Sequence, residues 1–165
     1  MKYRMGLAAL CSALATSAFA TGIAPQSLVC PSADTIAFVR QAPYLRDQNA
    51  DQLLSFAQEQ LKSVASLRKT AENLRDQVSR DTSGQGGRLE TPTQRMAREA
   101  EERADQAEQG MPKYDALVHT CASSGGRPQP VEIIERKPGS GIANVRAPFK
   151  GSTASVFVLE NALVE

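Results

Sequence analysis

The sequence contains no tryptophan, a single histidine and only 5% aromatic residues. Cofactor pockets and acid/base sites rely heavily on aromatic and imidazole side chains. The sequence therefore offers few residues from which such a site could be built. The charge is nearly balanced as well, with 19 Lys and Arg against 18 Asp and Glu. Because no global field would attract nucleic acid or an anionic membrane, we expect neither as a partner.

Common catalytic and cofactor-binding motifs are also missing. The chain has no G-x-S-x-G, H-E-x-x-H, calcium-binding loop, dinucleotide fingerprint or phosphate loop. A chain of 165 residues allows one modest domain and excludes a multidomain enzyme. We therefore expect a protein that is not an enzyme and that carries no cofactor and no metal.

Residues 1–20 have the pattern of a secretory signal peptide. Lys2 and Arg4 form the charged start, Met5 to Ala15 is an apolar run, and residues 18–20 (AFA) form a cleavage site. An uncleaved membrane anchor is the alternative, but crossing the hydrocarbon core takes about 20 apolar residues and this run is shorter. The pattern predicts cleavage after residue 20 and a periplasmic or secreted product without stable membrane insertion.

Removal of the signal leaves two cysteines, Cys30 and Cys121. In an oxidising compartment thiols pair, so we expect one intramolecular disulfide that closes a long loop. Two alternatives stay open. One is an interchain disulfide. The other is a soft-metal site that adds His119 and Met111, although no C-x-x-C or H-x-x-H spacing brings such ligands together.

The segment between the cysteines has helical periodicity. From Leu53 to Val78 eight positions recur at alternating steps of four and three, and seven of the eight are apolar, which predicts a helix from about Asn49 to Arg80. Leu54 and Leu61 widen the apolar side of this helix. Because two helices bury only the stripes that face each other, we expect this flank to need a cover.

A second helix is predicted after the glycine-rich turn at residues 81–91. Thr91 is a suitable N-cap, Pro92 suits the first helical position, and Gln94 completes a capping box. A mostly alanine heptad stripe then runs from Ala97 to Val118. Such a stripe lets helices approach closely but buries little area per residue.

Two further features of the helical region are predicted. Gly110 and Pro112 should kink or restart the second helix, because proline in a helix interior removes a hydrogen bond and clashes with the preceding turn. Residues 31–43 suit either a strand or a short helix, and we prefer the helix, with Ser32 as a candidate cap.

The chain changes character after Cys121. Residues 122–130 form a Ser/Gly/Pro linker, and residues 131–165 form a tail with three short β-prone runs. These runs are Val131–Glu135, Ile142–Val145 and Ser155–Leu159. We expect the first to pair with the last in a small sheet, or a partner to accept the last by strand addition.

These elements predict a mainly α fold. Two long helices joined by a short turn return antiparallel, which brings Cys30 near Cys121. We therefore expect residues 21–121 to form a disulfide-closed antiparallel helical hairpin resembling a coiled coil. The C-terminal tail would be β-leaning or partly disordered.

The sequence alone leaves three functional hypotheses. We favour a non-enzymatic interaction or structural protein of the bacterial envelope, as an accessory or component of a secretion or surface apparatus, that binds a protein partner or a second copy of itself. A small periplasmic chaperone or inhibitor of exported proteins is the first alternative, and a metal carrier or enzyme using His119 is the second. The candidate partner-binding residues are the apolar ones of the first helix flank and of the tail: Leu54, Leu61, Val156, Phe157, Val158 and Leu159.

Overall fold

The computed structural model of the chain describes residues 21–81 and 90–164. The predicted signal peptide and most of the predicted turn at residues 81–91 lie outside these residues. No helix in the described ranges is both long enough and apolar enough to span a membrane.

The helices begin and end close to the predicted positions. The preferred short helix at residues 31–43 is confirmed, and the interruption predicted at Gly110 separates the last two helices. Thr91 and Gln94 form the capping box, with hydrogen bonds in both directions. The α-helices of the described ranges are α1 (Ala33–Gln41), α2 (Pro43–Arg46), α3 (Ala50–Asp81), α4 (Pro92–Glu108) and α5 (Met111–Thr120), and a short 3-10 helix follows at Glu160–Ala162.

Helix α3 packs antiparallel against α4 and α5, and the predicted stripes meet at this interface. The residues Ala57, Val64, Ala71, Ala97 and Ala104 are buried. Ion pairs join α3 to α4, among them Arg68 with Asp105 and with Glu108, and Arg75 with Glu101. The alternating steps of four and three therefore identified the buried faces of both helices correctly.

The strands of the described ranges form three small antiparallel sheets: one of Gln129–Pro130, Gly22–Ile23 and Leu163–Val164 in that order, one of Leu28–Val29 and Ala122–Ser123, and a third of Glu132–Arg136, Ile142–Phe149 and Ser152–Leu159 in that order. The segment Ile142–Phe149 lies between the other two strands of the third sheet, so the first β-prone run of the tail does not pair with the last. The strands are β1 (Gly22–Ile23), β2 (Leu28–Val29), β3 (Ala122–Ser123), β4 (Gln129–Pro130), β5 (Glu132–Arg136), β6 (Ile142–Phe149), β7 (Ser152–Leu159) and β8 (Leu163–Val164).

The prediction of a mainly helical hairpin with a tail is wrong, because the chain forms an α+β domain. Strand β1, near the start of the described chain, pairs with strands from residues 129–130 and 163–164. The backbone of Cys30 also bonds to that of Phe157 in the C-terminal strand β7. The sheets and the helices therefore form one interconnected structure.

The alternation of side chains along β7 explains why the tail joins the core. Val156 and Val158 are fully buried in a cluster with Ile23, Val29 and residues of β6. The alternate residues Phe157 and Leu159 pack on the other face, against a cluster that includes Leu117 and the cysteines. A strand that is apolar on both faces must be covered on both faces.

The predicted disulfide between Cys30 and Cys121 is confirmed. Both residues are buried in the cluster beneath α1, α3 and α5. The bond joins the end of β2 to the C-terminal end of α5 rather than the two free ends of a helical hairpin.

Candidate functional site

Four aromatic residues from four different helices meet at one place. Phe38 of α1, Tyr44 of α2, Phe56 of α3 and Tyr114 of α5 form the group that we call the aromatic patch. The ring pairs are edge-to-face, with centroids 5.6 to 6.0 Å apart. Of the eight Phe and Tyr residues in the sequence, six lie beyond position 20, so the patch gathers most of them.

The patch reaches the surface through Tyr44, a residue that is 56% exposed. Its hydroxyl lies 3.3 Å from that of Tyr114, while the other three rings are half-buried. Lys113 places its ammonium 5.1 Å from the ring centroid of Phe38, a cation–π contact. The result is an apolar surface with hydroxyl and ammonium groups beside it.

The environment of Tyr114 alters its acidity. Burial, followed by the hydrogen bond with Tyr44, raises the pKa of Tyr114 to about 12. The phenol therefore stays protonated at neutral pH and acts as a hydrogen-bond donor or acceptor. General acid/base catalysis favours a pKa near the working pH, and the pKa of Tyr114 lies well above neutral pH.

A chain of three adjoining cavities, which we call the groove, begins next to the patch. The acidic cavity, of about 650 Å³, is lined by Asp51, Glu59 and Phe56, the last of which also belongs to the patch. The central cavity, of about 440 Å³, shares the residues Gln26, Gln48 and Asn49 with it. The basic cavity, of about 280 Å³, shares the residues Arg46, Leu159 and Asn161 with the central one.

Local hydrogen bonds fix the wall between the acidic and central cavities. The side chains of Asn49 and Gln52 each accept a bond from the other's backbone N–H, which makes a capping box at the start of α3. The backbone carbonyl of Gln26 accepts the N–H of Ala50, the first residue of α3. To make this contact, Gln26 adopts φ 55°, a left-handed conformation that is uncommon for a residue with a side chain.

At the other end of the groove, Arg40 lies against a tight turn. Its guanidinium donates to the carbonyl of Gly139 over 3.4 Å. A Cβ atom at Gly141 would lie 2.9 Å from Nε of Arg40, so glycine allows this close approach. Arg46 lines the same cavity, together with the carboxylate of Glu160.

Most of the sequence-predicted partner-binding residues lie within the domain. Val156 and Val158 are fully buried, whereas Leu54, Leu61, Phe157 and Leu159 are half-buried. Leu54, Phe157 and Leu159 pack against the same apolar cluster, so the structure does bring the helix flank and the tail together. Their role in binding a partner stays a prediction, and the aromatic patch, which reaches the surface at Tyr44, is a further candidate.

The residues of the alternative metal or catalytic hypothesis are dispersed. The two cysteine sulfurs are joined to each other, and His119 is exposed, 3.3 Å from the carboxylate of Asp115 on the same helix. Within residues 21–81 and 90–164, no three His, Cys, Asp or Glu side chains are arranged to hold a metal ion.

Sequence reasoning missed the patch and the groove. The patch residues come from four helices at irregular separations, so no period connects them. The scarcity of aromatic residues beyond position 20 was the only signal, and it does not indicate which of them meet.

Comparison with known proteins gives no relative from which to transfer a function. The chain matches no protein-family model, no curated protein and no solved structure.

Proposed function

We propose that this chain is an exported, non-enzymatic protein of the bacterial envelope that binds another protein through the aromatic patch. The observation that carries the proposal is the convergence of Phe38, Tyr44, Phe56 and Tyr114 at a surface where Tyr44 is 56% exposed. In this proposal the chain serves as an accessory or component of a secretion or surface apparatus.

The chemistry of the patch supports protein binding. Tyrosine is enriched among the residues that contribute most to protein–protein affinity, since it combines a large rigid apolar area with a hydrogen-bonding hydroxyl. The edge-to-face contacts hold the rings in place before a partner arrives, so little side-chain entropy remains to be lost on binding. Lys113 beside Phe38 adds a charged group at the rim.

The location part of the proposal rests on two features. A disulfide is typical of oxidising compartments such as the periplasm or the cell exterior. The signal pattern of residues 1–20 predicts delivery to such a compartment. Export followed by cleavage after residue 20 is therefore part of the proposed function.

The experiment is affinity purification from the native host with three versions of the protein. Tyr44→Ala removes the exposed ring of the patch, and Met96→Ala removes a similarly exposed apolar side chain of α4, 58% exposed, as the matched control. We expect one envelope protein to co-purify with the wild type and with Met96→Ala but not with Tyr44→Ala. Circular dichroism should give the same helical signal for all three.

Two outcomes would contradict the proposal. One is a partner that binds equally well to the Tyr44→Ala protein. The other is promiscuous binding of many unfolded proteins with suppression of their aggregation, which would favour the chaperone alternative.

A further inference from the structure

We propose that the groove binds an extended segment of the partner polypeptide in one orientation. The segment would place a Lys or Arg side chain in the acidic cavity and a carboxylate in the basic cavity. This inference rests on the proposed function, because it specifies which part of a protein partner the chain recognises.

The acidic cavity provides a complete environment for a basic side chain. It is lined by Asp51, Glu59 and Phe56, and the described residues around it include no Lys, Arg or His. A long cationic side chain can lay its apolar stem against an aromatic ring while its charged end reaches carboxylates. The exposed ring of Tyr44, 5.9 Å from Phe56, adjoins the same position.

The basic cavity offers the opposite charge. Among the described residues that line it, Arg40 and Arg46 are basic and Glu160 is acidic. Arg46 also forms an exposed ion pair with Asp47 of the central cavity, with Nε and Oδ1 3.7 Å apart, so a ligand carboxylate would compete with Asp47 for Arg46 and would meet Arg40 directly. Arginine presents N–H groups in a fork that fits a carboxylate, whether of an acidic side chain or of a chain terminus. A ligand with charges of opposite sign at its two ends would therefore bind in one direction only.

The central part of the groove fits a peptide backbone. Gln26, Gln48 and Asn49 line both the central and the acidic cavity, and amide side chains offer a donor and an acceptor to match backbone N–H and C=O groups. In the capping box the carbonyl oxygens of Asn49 and Gln52 are already used, and within the described ranges their NH₂ groups have no hydrogen-bond partner. These NH₂ groups are therefore donors for a ligand.

Two irregularities coincide at the wall shared by the central and acidic cavities. Gln26 is held in the left-handed conformation, and the buried Oε1 atom of Gln48 has no hydrogen-bond partner within the described ranges. Strained backbone and unsatisfied polar groups both lower stability, and they are concentrated at binding sites more than elsewhere. Their position at the middle of the groove favours a binding role for it.

A peptide fits the groove better than a neutral oligosaccharide. The separated charges at the two ends would have no counterpart on neutral sugars. The central cavity also has apolar walls, including Leu28, Leu53 and Leu159, which suit small apolar side chains. The carboxylates of the acidic cavity would repel a nucleic acid.

The test is selection of random linear peptides, displayed on phage, against the full disulfide-bonded chain. We expect selected peptides to carry a Lys or Arg and, separated from it, an Asp or Glu in a constant order. Asp51→Lys with Glu59→Lys should weaken binding of a synthetic selected peptide about tenfold, the effect of losing two surface ion pairs. The same peptide with its basic residue changed to Glu should bind this variant more tightly than it binds the wild type.

The matched control reverses the charge at two other acidic residues of α3, so that the net charge of the protein changes by the same amount. Glu72 and Asp76 are exposed and do not line the groove, so Glu72→Lys with Asp76→Lys should leave peptide affinity unchanged. Because Asp51 lies in the first turn of α3, the neutral variant Asp51→Asn with Glu59→Gln serves as a second version, with a smaller loss of affinity expected.

Three results would overturn the inference: no peptide is selected, the selected peptides bind the groove variant and the control variant equally, or neutral oligosaccharides bind where peptides do not. Its failure is distinguishable from failure of the proposed function. A natural partner that depends on Tyr44 but is unaffected by reversal of Asp51 and Glu59 would leave the proposed function standing and remove the groove from it.

Discussion

Cys30 and Phe157 exchange two backbone hydrogen bonds, with N···O distances of 3.1 and 2.7 Å. Cys30 is also bonded through its sulfur to Cys121. One residue therefore connects three parts of the chain: the strand β2 that it follows, the C-terminal end of α5, and the C-terminal strand β7. The disulfide and the third sheet are thus parts of one structural unit.

The C-terminal strand should be essential for folding. Deletion of residues 152–165 would remove Val156 and Val158 from the core and leave β6 with one neighbour fewer. We expect the truncated protein to lose its cooperative unfolding transition in urea. A truncated protein that unfolds like the wild type would contradict this.

Within the same strand, the cost of a substitution should follow burial. Val158→Ala should lower the free energy of unfolding by about 1 to 3 kcal/mol, whereas Thr153→Ala, at an exposed position of the strand, should change it by no more than about 0.5 kcal/mol.

Loss of the disulfide should lower the free energy of unfolding substantially. The bond spans a sequence separation of 91, and the chain-entropy model assigns about 4 to 5 kcal/mol to a loop of that length. We expect Cys30→Ala with Cys121→Ala to show a loss of that size in urea denaturation, and reduced wild type to lose a similar amount. An unchanged denaturation midpoint in both samples would show that the bond adds nothing.

The cost of truncating a leucine should follow its burial. Leu117 of α5 is 1% exposed within the main apolar cluster, whereas Leu67 of α3 is half-buried at the helix interface. Leu117→Ala should therefore cost about 3 to 5 kcal/mol and Leu67→Ala about 1 to 2 kcal/mol. Urea denaturation of both variants measures the difference, and equal losses would mean that the helices pack differently from the arrangement described.

Stability at alkaline pH should depend on Tyr114. Its pKa is raised to about 12 in the folded protein, from an ordinary value of 10.0. A raised pKa means that the stabilising contribution is complete below pH 10 and is lost as the pH rises toward 12. Over that interval the free energy of unfolding should fall more steeply for the wild type than for Tyr114→Phe. The decrease for Tyr44→Phe, which removes only the hydrogen bond, should be intermediate between those two. Three identical pH profiles would contradict the raised pKa of Tyr114.

The sequence was a good guide to the helices because their signals are local. The apolar steps from Leu53 to Val78 located the buried face of α3, and the Thr91 and Gln94 pair located the start of α4. Even α1, where the sequence suited a strand nearly as well, was predicted as a helix. Helix periodicity and capping depend on residues three or four positions apart, so a single sequence contains the information.

The sheets were predicted less well because their pairing is not local. Strands β1 and β2 have two residues each, too few to display any alternation, and their partners lie far away in the sequence, at residues 122–123, 129–130 and 163–164. The weak run that begins at Ile142 became the central strand β6. Val156 and Val158 were expected at a partner surface, but an apolar strand satisfies its need for cover equally well inside its own domain.

The first sheet also determines the order in which the protein can fold. Gly22 and Ile23 lie between strands that arrive more than a hundred residues later, at positions 129–130 and 163–164. Contacts between such distant segments form slowly, because a long loop must close before any of the contact energy is gained. A chain that emerges amino-terminus first from a ribosome therefore cannot complete this sheet until residue 164 has emerged. Until then strand β1 lacks at least one of the two neighbours that it has in the folded domain.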